Sequence, residues 1–439
     1  MLARGVLTSE KGEPIEIIYP GRANDDQGAD FRDAVIATKG RMAKGDIEVH
    51  VRSSDWQAHR HHLDPAYNRV VLHVVMWHDS VQETILQNGQ RVPVVALEKY
   101  VGNKDNRWLN QPGPSEISER ACLRDTGRLG EDTVAGFLDK AGEERFQAKA
   151  DAFQADITRM GLGQSLYRRI MGALGYAKNK LPCLELADRL PLRVLEGIVQ
   201  GNFSCEECLA RQQALLLGTA GLLPSQRWHG RQERILKDQR VERLENLWKN
   251  LHCTEAMSPA AWRLFKVRPN NSPIRRLVAM SYLMVRYRER GIVRALLDMV
   301  REASSSQGFN SLERGLVVTA SGYWADHFDF GVGSGLRNPT LLGKRRAGDI
   351  IVNVLLPFTH AWNQFTPEPD LEGKAIELYR LYPRLAENAV ERHMRNQFGI
   401  SVEMVNSAQR QQGLLHIYNT LCTQGRCSIC PLLASQLSS

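Results

Sequence analysis

Carboxylates and imidazoles gather near the start of the chain at spacings that suit metal or acid–base chemistry. Asp46-Ile47-Glu48-Val49-His50-Val51-Arg52 alternates polar and apolar residues, the two-residue period of a β-strand. Such a strand puts Asp46, Glu48, His50 and Arg52 on one face and sends Ile47, Val49 and Val51 to the core. Asp30 lies upstream in Gly28-Ala29-Asp30-Phe31, at the start of a neighbouring strand. An Asp and a Glu on adjacent strands can share one hard cation such as Mg²⁺ or Mn²⁺, which prefers oxygen ligands. That ion polarises a phosphate oxygen and acidifies bound water. His50, one pleat beyond Glu48, is placed to orient or deprotonate the water or to bind the ion. The alternative for the same pattern is the solvated face of an edge strand.

A second way to build a metal site lies beside the first. Half of the twelve histidines fall between residues 50 and 78: His50, His59, His61, His62, His73 and His78. Imidazole nitrogen suits Zn²⁺ and Mn²⁺. A short helix over Trp56–His62, capped by Ser54, puts His59 and His62 on one face. Asp64 and Tyr67 follow closely. His73 sits inside an apolar run and reads as a buried, hydrogen-bonded residue, with ligation as the alternative.

These residues need a sheet to position them. Ile15–Tyr19, Ala34–Ala37, Asp46–Arg52 and Val70–Trp77 read as strands, the last as a central one buried on both faces. Gly, Asn and Pro punctuate residues 102–114, which places a domain boundary near residue 112. Beyond it the period becomes helical, as in Phe146, Ala150, Phe153, Ile157 and Met160. Leu166–Leu174, Ile235–Leu251, Leu277–Val300 and Ile376–Leu385 continue the pattern, and Gly201–Ser225 reads as a loop insertion. The expected fold is α+β: an N-terminal α/β sheet domain over 1–112 and a mainly α-helical domain over 113–439.

The succession strand, strand with Asp30, strand with Glu48-x-His50, helix, strand resembles the PD-(D/E)XK nuclease core. It departs from that pattern at Ala29, where a Pro would precede the Asp, and at His50, where a Lys is usual. Across most of its length the chain resembles the bacterial domain-of-unknown-function family 2851. The resemblance rests on Gly28-Ala29-Asp30-Phe31, Gly45-Asp46-Ile47-Glu48-Val49-His50, Ser53-Ser54-Asp55-Trp56, His59-Arg60-His61, Leu174-Gly175-Tyr176 with Asn179-Lys180, Arg268-Pro269-Asn270-Asn271, and the cysteine tail. It supports the layout and implies no activity.

Cys422, Cys427 and Cys430 form the tightest thiol cluster, suited to Zn²⁺ or an iron–sulfur cluster. His416, Cys205 and Cys208 are candidates for a fourth ligand; incidental buried cysteines are the alternative. Ser272 and Pro273 would open a helix whose N–H groups, with Arg275, Arg276 and nearby Arg268, could hold a phosphate. Lys344, Arg345 and Arg346 form another basic cluster, and each group has a solvated face as its alternative.

The net charge of +8 fits a polyanionic partner, DNA or RNA. No apolar run reaches the length of a membrane span and no signal peptide is visible, so a cytoplasmic protein without a membrane partner is expected. The leading expectation is a metal-dependent phosphodiesterase acting on nucleic acid, with catalytic Asp30, Glu48 and His50, Mg²⁺ or Mn²⁺ on Asp30 and Glu48, and Asp46, His59, His62 and Asp64 as further metal or substrate contacts. Arg52 and the basic clusters would hold the nucleic acid. The alternatives are a non-catalytic nucleic-acid-binding or scaffold protein with a degenerate nuclease core, and a zinc hydrolase using the histidines.

Overall fold

The protein is described by a computed structural model that covers residues 6–101, 130–228, 235, 237–251, 255–264, 267–304, 309–333, 335 and 340–434. The boundary expected near residue 112 lies outside the described residues. The fold is mixed, an N-terminal sheet followed by a mostly helical region. It divides into two compact units, Met1–Arg145 with Ala386–Ser439, and Phe146–Leu385. The C-terminal segment, expected to belong with the helices, groups instead with the sheet.

In the first unit the strands are β1 (Val6–Thr8), β2 (Pro14–Tyr19), β3 (Arg22–Ala23), β4 (Phe31–Thr38), β5 (Arg41–Arg52), β6 (Val70–Trp77), β7 (Thr84–Ile85), β8 (Arg91–Val92) and β9 (Val94–Ala96). The large sheet runs β1-β2-β4-β5-β6-β9, with β3 on β4. Strands β1, β2, β4 and β5 are antiparallel neighbours, whereas β5, β6 and β9 run parallel. Residues 39–40 join β4 to β5 as a hairpin, and a helical crossover over residues 53–69 joins β5 to β6. Gly45 is required where the two parallel strands first meet, since a Cβ there would lie 2.2 Å from the Arg69 carbonyl oxygen.

The sheet buries both faces. Ile15, Ile17, Ala34, Ile36, Ile47, Leu72 and Val74 form one cluster. Tyr19 and Val35 enter a second cluster with Val134, Leu138, Met394, Phe398, Leu414 and Tyr418. Helices Ala389–Phe398 and Ala408–Thr420 thereby seal part of the sheet. This packing groups the C-terminal segment with the sheet. Val49 and Val51, expected in the core, are 39% and 57% exposed. Pairing of β4 with β5 ends at Phe31 opposite Ile47, so β5 runs on past its neighbour and past the core.

The second unit is built on helices including Leu162–Leu174, Cys205–Thr219, Gln239–Leu251, Pro273–Arg286, Ile292–Glu302 and Pro369–Leu381. The expected loop at 201–225 is instead a core helix, in which Ala214 to Leu217 are fully buried. The Gly/Ser punctuation before it is a helix start: the Ser204 side chain caps the helix by accepting from the Glu207 N–H. Cys205 and Cys208 belong to its first turn, where the Cys208 thiol lies 3.4 Å from Arg288 Nη1. The expected helix over 277–300 breaks at Gly291, which has φ +75°. Among the described residues no helix is long and apolar enough to cross a membrane.

Candidate metal centre

The crossover from β5 to β6 decides the geometry of the site. Helix Asp55–Ala58 is a single turn, anchored by Trp56, which is 1% exposed and donates from Nε1 to the Ile85 carbonyl at 3.0 Å. Ser54 does not cap it; the Ser54 hydroxyl donates to Asp79 at 2.9 Å. Arg60 then takes a left-handed conformation, φ 61° and ψ 28°, and a 3₁₀ turn begins at His61. The longer helix expected over Trp56–His62 is therefore absent. The reversal at Arg60 brings His59 and His61 together, where a continuous helix would have paired His59 with His62. No pattern in the sequence signals a left-handed Arg, so the pairing of His59 with His61 is not legible from residue spacing.

Glu48 and His50 come from β5 and lie beside His73 and Val75 of β6 in register. His59 Nδ1 is 3.2 Å from His50 Nε2, and Glu48 Oε1 is 3.4 Å from both His50 Nε2 and His61 Nε2. Ligand atoms of His50, His59 and His61 all lie within 4.8 Å of one another. Tetrahedral Zn²⁺ with bonds of about 2.0–2.1 Å places its ligand atoms about 3.3 Å apart. The spacings around His50 and Glu48 match that edge. Among the described residues this trio is the group of histidine, cysteine and carboxylate side chains that meets ligand distances.

The surroundings pack closely on the rings. His50 and His61 stack with 8° between their planes, and Tyr67 packs on His61 with ring centres 3.8 Å apart. On the inner side, His50 Nδ1 is 3.0 Å from His73 Nε2, and His73 Nδ1 is 2.9 Å from Thr84 Oγ1. Burial and neighbouring imidazoles hold His50 below its ordinary range, bring His61 down to about 4 and His73 to about 3. These rings are neutral at pH 7, the form that can ligate. Burial, reinforced by the Asp30 charge, pushes Glu48 up to about 7. Tyr67 rises to about 12 through burial and the Glu48 charge.

Asp30 does meet Glu48, through the backbone. Its N–H donates to Glu48 Oε2 at 3.1 Å, and its own Oδ2 accepts from the Val49 N–H at 3.1 Å. The clasp replaces the ladder that β4 no longer supplies at Val49, and it leaves Glu48 Oε1 facing the imidazoles. Asp30 is not part of the ligand-distance set. Asp46 is buried beside a bulge instead: its Oδ1 accepts from the N–H of Asp33, a residue at φ 62°, and lies 3.5 Å from Arg69. Asp64 caps the turn over Pro65–Tyr67, accepting from the Ala66 N–H at 2.8 Å. The His62 Nδ1 is buried without a hydrogen-bond partner and lies outside the trio. Arg52 is exposed at the end of β5.

The remaining candidate residues lie elsewhere in the two units. Cys422 and Cys430 are buried in the cluster under the sheet, and Cys427 is half-buried. Gly425 between them takes φ +67°, and a Cβ there would lie 3.1 Å from Val35 Cγ1 and 3.2 Å from Ile18 Cγ2. His416, a candidate fourth ligand, faces Glu144 at 3.4 Å. In the second unit Arg275 and Arg276 are 0% and 5% exposed, which corrects their assignment to nucleic-acid contact. The whole first turn of their helix is buried, so both side chains turn inward. Arg275 donates to the Trp324 and His327 carbonyls, and Arg276 to Leu341 O, Tyr176 Oη and Asn271 Oδ1. Ser272 makes no side-chain cap there. Arg346 lies on the Tyr176 ring, 3.3 Å from its centre, while Arg268, Lys344 and Arg345 are exposed.

The chain matches the family model described as "Protein of unknown function (DUF2851)" over residues 2–388 and belongs to that family. Comparison with curated proteins and with solved structures found no match.

Proposed function

We propose that this member of the DUF2851 family is a metal-dependent hydrolase of phosphodiester bonds in DNA or RNA, with its ion on His50, His59 and His61. The observation that carries the reading is the convergence of three imidazoles and a near-neutral carboxylate on one spot of the sheet. A donor set rich in nitrogen favours Zn²⁺ or Mn²⁺ over Mg²⁺, which shifts the site from the Asp30–Glu48 pair to the histidines. A bound ion would supply a water of lowered pKa and polarise the scissile group.

The chain's own residues divide the remaining work. Glu48, with its pKa near neutrality, accepts a proton from attacking water at Oε1. Asp30 holds Glu48 in place through its N–H and raises its basicity through its charge. Exposed Arg60, between two ligands, is available to an anionic substrate. The phosphodiester class is supported by the antiparallel β2-β4-β5 meander, the short helical crossover and the parallel β6. Asp30 entering β4 and Glu48 on β5 keep the order, a strand with Asp and then a strand with Glu-x-His, on which the sequence's resemblance to the nuclease core rests. The net charge of +8 points the same way.

The test combines metal analysis with a substrate panel. The intact protein is expected to hold about one equivalent of Zn²⁺ or Mn²⁺ and to cleave at least one of single-stranded DNA, duplex DNA, RNA or bis(p-nitrophenyl) phosphate. Glu48→Gln should abolish turnover while keeping the ion. An intact protein that binds no ion, or binds nucleic acid in a salt-dependent way without turnover under Zn²⁺, Mn²⁺ or Mg²⁺, would overturn the hydrolase reading.

A further inference from the structure

A line of three side chains runs inward from the ligand atoms, and no step above uses it. His50 Nε2 faces His59 and Glu48, whereas His50 Nδ1 lies 3.0 Å from His73 Nε2. His73 Nδ1 in turn lies 2.9 Å from Thr84 Oγ1. His73 is 0% exposed and Thr84 4%. Strand pairing fixes this arrangement: His73 stands beside Glu48 in the parallel ladder, and Thr84 is held by the β7–β8 hairpin. The His50 and His73 ring centres lie 5.1 Å apart with their facing nitrogens 3.0 Å apart, so the nitrogens lie near the line between the rings, where an N–H of one can meet the lone pair of the other.

A neutral imidazole has one N–H and one lone pair, so the line permits two ordered states. In one, the Thr84 hydroxyl donates to His73 Nδ1, His73 Nε2–H donates to His50 Nδ1, and His50 Nε2 carries a proton toward His59 Nδ1 or Glu48. That state offers a cation no lone pair at His50 Nε2. In the other, His50 Nδ1–H donates to His73 Nε2, His73 Nδ1–H donates to Thr84 Oγ1, and His50 Nε2 presents its lone pair outward. Each ring carries one proton in both states, so the exchange is a tautomer reversal that leaves every ring uncharged.

We propose that His73, braced by Thr84, is the positioning residue that holds His50 in the Nδ1–H tautomer and so selects the ion-binding state of the site. This rests on the reading of His50, His59 and His61 as the ligand trio. A ligating imidazole that donates its second N–H to a fixed acceptor is oriented and made more basic, and loss of the acceptor commonly weakens binding about 10- to 100-fold. Here the acceptor is itself a buried imidazole, and in the ion-binding state its own Nδ1–H is satisfied by the Thr84 oxygen. The Thr84 oxygen thus reaches the ion through two rings.

The experiment measures Zn²⁺ affinity of the full chain by chelator competition and reads ring tautomers by ¹⁵N NMR. His73→Phe keeps an aromatic ring but removes the acceptor, and is expected to weaken Zn²⁺ binding about 10- to 100-fold. Thr84→Val keeps the shape of the side chain and removes only its oxygen, so it guards against misfolding in the first variant. It should weaken binding in the same direction, and Thr84→Ser should restore it. In the zinc-loaded protein, His50 should carry its proton on Nδ1. Zn²⁺ affinity unchanged in Thr84→Val and His73→Phe, or ligation through His50 Nδ1, would overturn the proposal while leaving the trio intact. Absence of Zn²⁺ binding by the unaltered protein would instead remove the trio reading, and this inference with it.

Discussion

Replacing His59 with Ala separates the metal reading from a merely structural histidine cluster. His59 is exposed, and its Nδ1 engages His50 at 3.2 Å. Without metal, losing one solvent-facing hydrogen bond costs less than about 1 kcal/mol. In a unit of about 200 residues that is a shift in Tm of roughly 2–4 °C. With Zn²⁺ at about 100 times the Kd, the unaltered site gains about 2.7 kcal/mol. If removing one of three imidazoles weakens binding about 100-fold, the same Zn²⁺ concentration equals the Kd and the gain falls to about 0.4 kcal/mol. The zinc-induced rise in Tm should then drop by roughly 5–9 °C in His59→Ala. The assay is thermal unfolding followed by circular dichroism, with EDTA or buffered Zn²⁺, on both proteins. Equal zinc-induced shifts in the two would refute the assignment of His59 and the geometry behind it.

Glu48 sets a pH dependence in the metal-free protein. Its folded pKa of about 7 lies above its ordinary 4.5, so its protonated form favours folding. That contribution is complete below about pH 4.5 and is lost as the pH rises through 7; Glu48→Gln should remove the slope, a difference of at most about 3 kcal/mol by pH-dependent urea unfolding. Arg60→Gly should be neutral or stabilising by up to about 1 kcal/mol, because glycine adopts φ 61° without the clash that Arg bears. Arg60→Val should lower both stability and Zn²⁺ affinity, since a β-branched residue resists the turn that joins His59 to His61. Arg275→Met should destabilise the second unit by about 2–4 kcal/mol in denaturant melts, as it strips donors from the buried Trp324 and His327 carbonyls. Lys344→Glu with Arg345→Glu should leave stability within about 0.5 kcal/mol, and any salt-dependent DNA or RNA binding of the chain should lose slope in that variant alone.

Local pattern carried a good deal of this molecule. Apolar alternation and β-branched runs marked Val70–Trp77 at its observed ends and β2 to within a residue. They did so because a strand buried on one or both faces writes its period directly into side-chain polarity. The same rule places Glu48 and His50 on one face, and the histidine-dense stretch covers the crossover that joins β5 to β6. A single element is ambiguous without its neighbours. Gly and Ser before Cys205 looked like a loop and are the start of a buried helix, because punctuation marks helix ends as well as turns. Arg275 and Arg276 looked like a phosphate grip and are fastened to backbone carbonyls inside the second unit.

The carboxylate pair of Asp30 and Glu48 shows the same division. Residue type and spacing were enough to identify two carboxylates at the ends of adjacent strands. Which atoms face each other depended on where β4 stops, since the orphaned Val49 N–H claims the Asp30 carboxylate. Likewise His59, His61 and His50 are neighbours only because Arg60 reverses the chain and β5 carries His50 past the end of β4. Composition and period follow from each residue's own chemistry and are therefore written locally. Convergence of ligand atoms depends on strand ends, register and a single backbone reversal, which are settled by packing among segments distant in the chain.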